Sequence, residues 1–434
     1  MQKLRNLAIA VVLLAVSPLT PARAQLTVQI TQGVTDPVPV AVVPFGWNGA
    51  GAAPYDVAAT IQADLERSGR FKALPRADLL EFPHAAAQVD AANWRLLKVD
   101  YVVVGRLVPL ADGRFDVQYE LVNALTGQRL LGEALPAAGG ALKLASHRVS
   151  DAVFQKILGM RGAFATRIAY VAVDGAAAAR RYRLLVADAD GASPRVVLQS
   201  GEPLMSPAWS PDGRYLAYVS FEGGVSSVFV QELASGQRVR VSARAGINGA
   251  PAFSPDGLRL ALALSRRDGN VDVYLLTLAD QQLTRLTDSP AIDTEPAWSP
   301  DGSQIYFTSD RGGSPQIYRV AVTGGGVERV TFDSSYNARP RVAADGTSLA
   351  VVTLDRGAFR IAVLDLARRT TRVLTNGRQD ESPAFAPNDA MLIYATREGG
   401  HGVLATVSVD GSVEQRLAGS EGDIREPAWS PFLQ

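Results

Sequence analysis

From about residue 163 onwards, short apolar runs alternate with polar turns at a constant period. Each unit opens on an apolar segment that ends in a turn and continues through three further strand-length runs. The opening segments are SPAWSPDG (206–213), APAFSPDG (250–257), EPAWSPDG (295–302), RPRVAADG (339–346), SPAFAPND (382–389) and EPAWSPFL (426–433). Their aromatic or valine positions are 44, 45, 44, 43 and 44 residues apart. A period near 44 residues with four strands per unit predicts the blades of a β-propeller.

A proline stands two residues before the aromatic or valine position in every copy, at 207, 251, 296, 340, 383 and 427. Proline has no N–H to donate to a sheet ladder, so it belongs at a sheet edge. The first strand of a propeller blade lines the central channel and leaves one edge unpaired. The repeated proline therefore assigns these segments to the channel wall.

The number of blades follows from the two ends of the repeat. The last copy, 426–433, ends after one strand, whereas strands predicted at 167–173, 181–187 and 195–199 have no inner strand before them. We expect the C-terminal strand to complete this first blade, which gives six blades and leaves no open sheet edge in the ring.

The preceding residues lack the repeat and mix helical with strand periodicity. The predicted elements are strands at 38–45, 99–110, 114–123 and 128–134 and helices at 55–68 and 142–158. The predicted fold class is therefore multidomain. A small N-terminal α/β domain (25–162) precedes a six-bladed β-propeller (163–434) closed by the C-terminal strand.

Residues 1–24 have the pattern of a signal peptide. Lys3 and Arg5 precede an apolar stretch at 7–16, and Ala22-Arg23-Ala24 forms a cleavage signal. No cysteine stands at the cut to carry a lipid, and no later apolar segment is long enough to span a membrane. We expect an exported protein of the periplasm.

The charge balance and the residue types exclude several classes of function. Lys plus Arg and Asp plus Glu each number 43, so there is no basic excess for nucleic acid. The absence of cysteine excludes thiolate nucleophiles and cysteine-based metal sites, and the three histidines are far apart in sequence. No G-x-S-x-G, P-loop, H-E-x-x-H or EF-hand motif is present. We predict no catalytic residue, no cofactor and no bound metal.

The first residues after the predicted cleavage site, Gln25–Thr31, alternate apolar with polar side chains and therefore predict a strand. Two interpretations remain open. The strand is an edge of the N-terminal domain's own sheet, or it is donated to the sheet edge of a partner.

The loops that lead into the inner strands converge on one end of the predicted channel. These loops are 203–206, 246–250, 291–295, 335–339, 379–382 and 423–426. They carry mixed polar and apolar side chains on a concave rim, which predicts a recognition surface.

Taken together, these segments resemble the TolB family of the Tol–Pal system of Gram-negative bacteria. The similar segments are PVAVVPF (39–45), LMSPAWSPDG (204–213), NGAPAFSPDG (248–257), TEPAWSPDG (294–302) and PAWSPFL (427–433). Their order and number, together with the terminal half-blade, make the resemblance specific, and it covers the whole chain.

The resemblance implies a non-enzymatic adaptor, expected as a monomer, that maintains outer-membrane integrity and supports cell division. Its propeller would bind the peptidoglycan-associated lipoprotein Pal, and its mature N-terminus would bind the C-terminal domain of TolA. The rim positions expected to contact Pal are Met205, Ile247, Ala250, Thr294, Glu295, Asn337, Arg339 and Glu381. The positions expected to contact TolA are Gln25, Leu26, Thr27, Val28, Gln29, Ile30 and Thr31.

One position departs from the family pattern, because Ile247 stands where the family has a histidine. A charge-dependent role there is therefore not expected. The alternative function is a propeller hydrolase or lyase that acts on a cell-envelope sugar or peptide with rim carboxylates.

Overall fold

The computed structural model describes residues 28–30, 37–176, 179–265, 269–417 and 422–433. The predicted signal peptide (1–24) and Gln25, Leu26, Thr27 and Thr31 lie outside the described residues. Among the described helices, none combines the length and the apolar character needed to cross a bilayer.

The N-terminal part contains a mixed sheet with helices on both faces. Its elements are β1 (Val28–Ile30), β2 (Val38–Val42), β3 (Gly46–Trp47), α1 (Val57–Arg67), β4 (Phe71–Ala73), α2 (Ala91–Leu96), β5 (Tyr101–Pro109), β6 (Phe115–Asn123), β7 (Arg129–Ala137) and α3 (Leu142–Leu158). The sheet order is β4-β2-β5-β6-β7, with β3 pairing beside β5. Strand β2 runs parallel to β4 and β5, and β5, β6 and β7 form an antiparallel meander. Helices α1 and α3 lie on one face of the sheet and α2 lies on the other.

Local signals set the helix ends. Asp56 caps α1 by accepting a 3.0 Å hydrogen bond from the backbone N–H of Ala59. Helix α3 spans the predicted residues and ends where Gly159 adopts a φ of +77°. Buried side chains of both helices, such as Ile61 and Val149, join the core against the sheet.

The second part is a β-propeller of six four-stranded blades, as predicted. Blade 1 contains β8 (Arg167–Asp174), β9 (Arg181–Asp188) and β10 (Arg195–Ser200); blade 2 contains β11 (Leu204–Trp209), β12 (Tyr215–Ser220), β13 (Ser227–Glu232) and β14 (Arg238–Ser242); blade 3 contains β15 (Asn248–Phe253), β16 (Arg259–Ser265), β17 (Val271–Thr277) and β18 (Leu283–Arg285). Blade 4 contains β19 (Asp293–Trp298), β20 (Gln304–Ser309), β21 (Gln316–Ala321) and β22 (Glu328–Arg329); blade 5 contains β23 (Asn337–Val342), β24 (Ser348–Asp355), β25 (Ala358–Asp365) and β26 (Thr370–Val373); blade 6 contains β27 (Glu381–Phe385), β28 (Met391–Glu398), β29 (His401–Ser408) and β30 (Val413–Arg416). The inner strand of blade 1 is β31 (Asp423–Trp429).

The C-terminal strand closes the ring. Strand β31 pairs antiparallel with β8, from Asp423 opposite Val173 to Trp429 opposite Ile168. Beyond the strand, the backbone N–H of Ser430 donates to the Arg167 carbonyl at 2.8 Å. The two ends of the propeller sequence are therefore held in one sheet.

Tryptophan side chains join neighbouring blades at the channel wall. The indole N–H of Trp209 donates to the Ala428 carbonyl at 3.1 Å, and that of Trp298 donates to the Ala252 carbonyl at 3.0 Å. Each bond crosses from one inner strand to the next, and it uses the polar atom of a largely buried ring. The repeated aromatic is thus part of the scaffold.

Strand β1 lies against the propeller. Val28, Gln29 and Ile30 pair antiparallel with Gln415, Glu414 and Val413 at the outer edge of blade 6. The interpretation that this segment is an edge of the N-terminal domain's own sheet is therefore wrong for these three residues.

Charged groups connect the two parts of the molecule. Lys143 on α3 donates to Asp188, the last residue of β9, at 2.9 Å and lies 3.0 Å from Asp190 in the turn that follows. Nearby, a 2.7 Å hydrogen bond joins the buried Asp64 of α1 to His147 of α3.

The connection from α3 to the propeller is fixed by Asp151. Its carboxylate accepts hydrogen bonds from the backbone N–H groups of Phe164 (2.7 Å) and Ala165 (3.2 Å). Burial raises the pKa of Asp151 to about 6, although these two bonds act in the opposite direction.

This shift predicts a pH dependence of stability. Because the folded state binds the Asp151 proton more tightly than the unfolded chain does, the contribution of Asp151 to the free energy of unfolding should rise as the pH falls from about 7 to about 4. A shift of about two pKa units corresponds to about 3 kcal/mol as an upper bound. We expect the free energy of unfolding of the wild type minus that of Asp151→Asn, measured by urea denaturation, to increase by up to this amount over that range.

Asp112 provides a control of opposite sign. Backbone and side-chain hydrogen bonds from Arg114 lower the pKa of this exposed carboxyl group. The same difference for Asp112→Asn should fall, and not rise, as the pH decreases. A pH-independent difference for Asp151→Asn would contradict the assignment.

Candidate protein-binding face

A ring of six residues in a left-handed backbone conformation surrounds one end of the channel. Each stands directly before the repeated proline of an inner strand and has a φ between +47° and +56°. The six residues are Ser206, Ala250, Glu295, Arg339, Ser382 and Glu426. All six line the channel cavity, which has a volume of about 390 Å³. We call these six residues the mouth ring.

The mouth ring coincides with an irregularity in every blade. The register between the inner strand and the strand beside it shifts at this point, for example between Met205 and Ala208 in blade 2. A β-bulge redirects side chains and is common beside functional sites. A left-handed conformation costs a residue other than glycine about 1–2 kcal/mol. Strain of this kind, repeated six times around one opening, makes this end of the channel the candidate functional site.

Arg339 bridges the mouth ring. Its Nε lies 2.9 Å from Glu295 Oε1 of blade 4, and its guanidinium also donates to Ser382 of blade 6. A third contact, of 3.8 Å, reaches Glu426 of blade 1. One side chain therefore connects four blades across the opening.

The pKa of Arg339 is consistent with these ion pairs. Burial lowers the pKa of Arg339, but the attraction of Glu426, Glu295 and Glu381 outweighs it, so the pKa is raised overall. Glu295 also accepts from Thr308 at 2.8 Å, so its carboxylate has several donors. The two ring carboxylates are therefore ion-paired and not presented as a general acid and base.

The structure divides the predicted contact residues into two groups. Met205 and Ile247 are 39% and 50% exposed at the rim, and Glu381 is exposed at the start of β27. Ala250, Glu295 and Arg339 belong to the mouth ring, and Thr294 is partly buried beside it.

Asn337 does not face solvent. It is 3% exposed, and its side-chain amide donates to Gln316 at 3.0 Å. Asn248, Asp293 and Asp380 occupy equivalent positions and are also buried, so this position supports the inner strand. Alignment of the repeats could have identified this pattern.

The same alignment identifies rim residues that were missed. Ile292 stands one position before Asp293, just as Ile247 stands one position before Asn248, and it is also 50% exposed. Phe359 on blade 5 is partly exposed and contacts Tyr336 edge to face, with ring centroids 5.1 Å apart. The rim therefore carries a larger apolar component than predicted.

A groove beside the mouth carries the charged part of the rim. It lies between blades 5 and 6 and β31 and has a volume of about 410 Å³. Its lining includes Glu381, Arg397 and Arg425, and the last of these is paired with Asp423. Apolar side chains on blades 2 to 5 and charged side chains on blades 5, 6 and 1 thus surround one concave opening.

Two groups of titratable side chains lie away from this face. The turn aspartates, such as Asp301, are held by hydroxyl groups; the hydrogen bond from Ser299 is the main reason that the pKa of Asp301 is lowered to about 2. His147 approaches Asp188 and Asp190 closely enough for the three to hold a metal ion, a grouping that sequence spacing missed. The Lys143 ammonium group already lies beside both carboxylates.

Comparison with known proteins agrees with this architecture. Residues 154–433 match the family model of the TolB β-propeller domain, and residues 26–130 match that of the TolB amino-terminal domain. The chain belongs to the TolB family.

Relatives support this membership over nearly the full length. The Tol-Pal system protein TolB of Xanthomonas campestris pv. campestris (strain B100) is 50% identical over 410 residues, which cover 94% of this chain and 93% of the relative. The protein of the same name from Xanthomonas oryzae pv. oryzae (strain KACC10331 / KXO85) is 50% identical over 428 residues, or 98% and 97% of the two chains. The crystal structure of TolB from Acinetobacter baumannii has a TM-score of 0.86 at 40% identity and covers 94% of this chain and 100% of that one.

The strain in the mouth ring can be tested with two alanines of one strand. Ala250→Gly should stabilise the fold by up to about 1 kcal/mol, because relief of the left-handed strain exceeds the extra entropy of glycine in the unfolded chain. Ala252→Gly, two residues further on, should destabilise it by about 0.5–1 kcal/mol. The measurement is the free energy of unfolding in urea, and equal losses in both variants would contradict the strain.

Proposed function

We propose that this protein is a non-enzymatic periplasmic adaptor of the Tol–Pal system. In this proposal the rim around the mouth ring binds the lipoprotein Pal, and the mature N-terminus binds the C-terminal domain of TolA. The adaptor would thereby maintain outer-membrane integrity and support cell division. The proposal is carried by the concave, partly apolar opening of the propeller channel. The two carboxylates of the mouth ring are ion-paired there, and the chain belongs to the TolB family.

The rim has the composition of a protein-binding surface. Met205, Ile247 and Ile292 expose apolar side chains, and burial of such groups drives association. The charged groove at the side of blade 6 would set orientation and partner choice more than affinity. A rigid ring that holds these residues would also need little reorganisation when a partner binds.

The N-terminal proposal rests on where β1 lies. Among the described residues, Val28–Ile30 pair with β30 at the outer edge of blade 6. A strand at a sheet edge can exchange its partner sheet for another, because the same backbone hydrogen bonds can form with the new sheet. The proposal assigns the whole segment Gln25–Thr31 to TolA.

A hydrolase or lyase is the less favoured function. Glu295 and Glu426 both contact the Arg339 guanidinium, so neither carboxylate is an unpaired group aimed at a substrate. Turnover of peptidoglycan fragments by the wild type that is lost in both Glu295→Ala and Glu381→Ala would instead favour the enzyme.

Two exposed apolar residues of blade 3 test the binding face. Ile247 precedes β15 at the rim, whereas Leu258 follows the turn at the other end of the same strand and is 64% exposed. Ile247→Asp should weaken the binding of purified Pal at least about tenfold, the effect expected of an interface residue that contributes more than about 1 kcal/mol. Leu258→Asp should leave the affinity unchanged in isothermal titration calorimetry. Equal affinities for both variants and the wild type would contradict this face.

A deletion tests whether Pal and TolA bind at separate sites. Removal of Gln25–Thr31 should abolish binding of the TolA C-terminal domain, because the strand to be donated is gone, and should retain Pal binding. Both are measured by pull-down and by calorimetry with the mature protein. Loss of Pal binding together with TolA binding, in a variant with an unchanged melting temperature, would refute separate sites.

A further inference from the structure

The inner strand of blade 5 breaks the six-fold pattern of the channel wall. The residue after the repeated proline is alanine in five blades and arginine in blade 5. The alanines are Ala208, Ala252, Ala297, Ala384 and Ala428, and the arginine is Arg341. All six line the channel cavity. A repeat protein that departs from its own consensus at one inward-facing position has a specific reason for the change at that position.

Among the described residues, Arg341 forms no ion pair with a carboxylate. Its Nη1 donates to the neighbouring Pro340 carbonyl at 2.8 Å, and no carboxylate within the described ranges comes within 4 Å of its guanidinium. Glu295 and Glu426 contact Arg339 instead, and Glu426 also accepts from the backbone N–H of Ser206. The remaining donors of Arg341 are therefore directed at the space of the channel.

The surroundings of Arg341 are unfavourable to its charge. Burial and the like charge of Arg339 lower the pKa of Arg341, and the more distant Glu295 and Glu426 offset this only in part. The wall around it consists of proline, alanine and aromatic side chains, which supply few acceptors. A partly buried cation in such a position is stabilised when an anion pairs with it.

We propose that the channel binds a small oxyanion on the guanidinium of Arg341. The planar fork of N–H donors matches two oxygens of a phosphate, a sulfate or a carboxylate. The cavity of about 390 Å³ leaves space for such an anion and for ordered water. The anion site shares this cavity with the mouth ring, but it does not require Pal or TolA to bind there.

The chain offers a conservative variant for the test. Arg341→Ala places at this position the residue that five of the six blades already have, so the ring should close as before. Arg368→Ala is the matched control, because this arginine lies on the same blade and is 80% exposed in a pair with Asp365. Thermal unfolding of the mature protein is followed at constant ionic strength in sodium chloride, with sodium phosphate, sodium sulfate or sodium acetate replacing part of the salt.

Phosphate or sulfate should raise the melting temperature of the wild type and of Arg368→Ala in a saturable manner. This result is expected because the anion binds the folded state and not the unfolded chain. The apparent Kd should be at least about tenfold weaker in Arg341→Ala, the loss expected when a charge-assisted contact is removed. A similar saturable effect of acetate would identify the ligand as a carboxylate. An effect of phosphate and sulfate alone would identify a tetrahedral oxyanion. No saturable effect of any of the three anions, or equal effects in the wild type and Arg341→Ala, would overturn the proposal.

Diffraction locates the bound anion directly, which a change in melting temperature does not. Crystals of the mature protein soaked in sodium selenate should show an anomalous peak within hydrogen-bond distance of the Arg341 guanidinium. Crystals of Arg341→Ala should lack this peak. A peak of equal height in both, or none in the wild type at a concentration that shifts its melting temperature, would overturn the proposal.

Discussion

The antiparallel pairing of β31 with β8 is the constraint on which the rest of the molecule depends. A propeller blade buries its faces only against its neighbours, so a ring with one open joint would expose two blade faces and two strand edges. The last strand of the chain removes both by entering the first sheet. Because the ladder joins residues near 170 to residues near 425, the ring is complete only when the whole chain has been made. All six inner strands are then held around one channel.

Closure also explains how strain can persist at the mouth. Six residues before proline remain left-handed because the ladders on either side of each bulge, and the indole bonds between blades, determine the backbone there. The strain brings Glu295, Arg339 and Glu426 together from three different blades. The glutamates of the mouth ring pair with Arg339, whereas Arg341, also on the channel wall, has no carboxylate partner among the described residues.

At the outer edge of blade 6, the propeller contacts both strand β1 and the N-terminal domain. Strand β30 pairs with β1, and the end of α1 lies so close to β30 that a Cβ at Gly69 would come within 2.1 Å of the Val413 side chain. Lys143 with Asp188 and Asp190 forms a second link at blade 1. Strand β30 therefore contacts both the N-terminal segment and the N-terminal domain.

Local sequence determined the repeat and helix α3, because these depend on signals within one unit: the period of 44 residues, the fixed proline and the glycine at 159. The six blades and the closing strand followed from the repeat as a whole, because its two ends lack complementary strands. The rim was predicted as a region, but not which of its side chains are exposed. Asn337 is a buried support, and Ile292 is exposed at the rim. What tertiary structure decided was the pairing of groups far apart in the chain: the Arg339 bridge and the sheet that receives β1. Distances between side chains of separate blades and domains depend on how the sheets pack around the channel. The periodicity within one strand predicts which face a residue lies on, but it does not predict these distances.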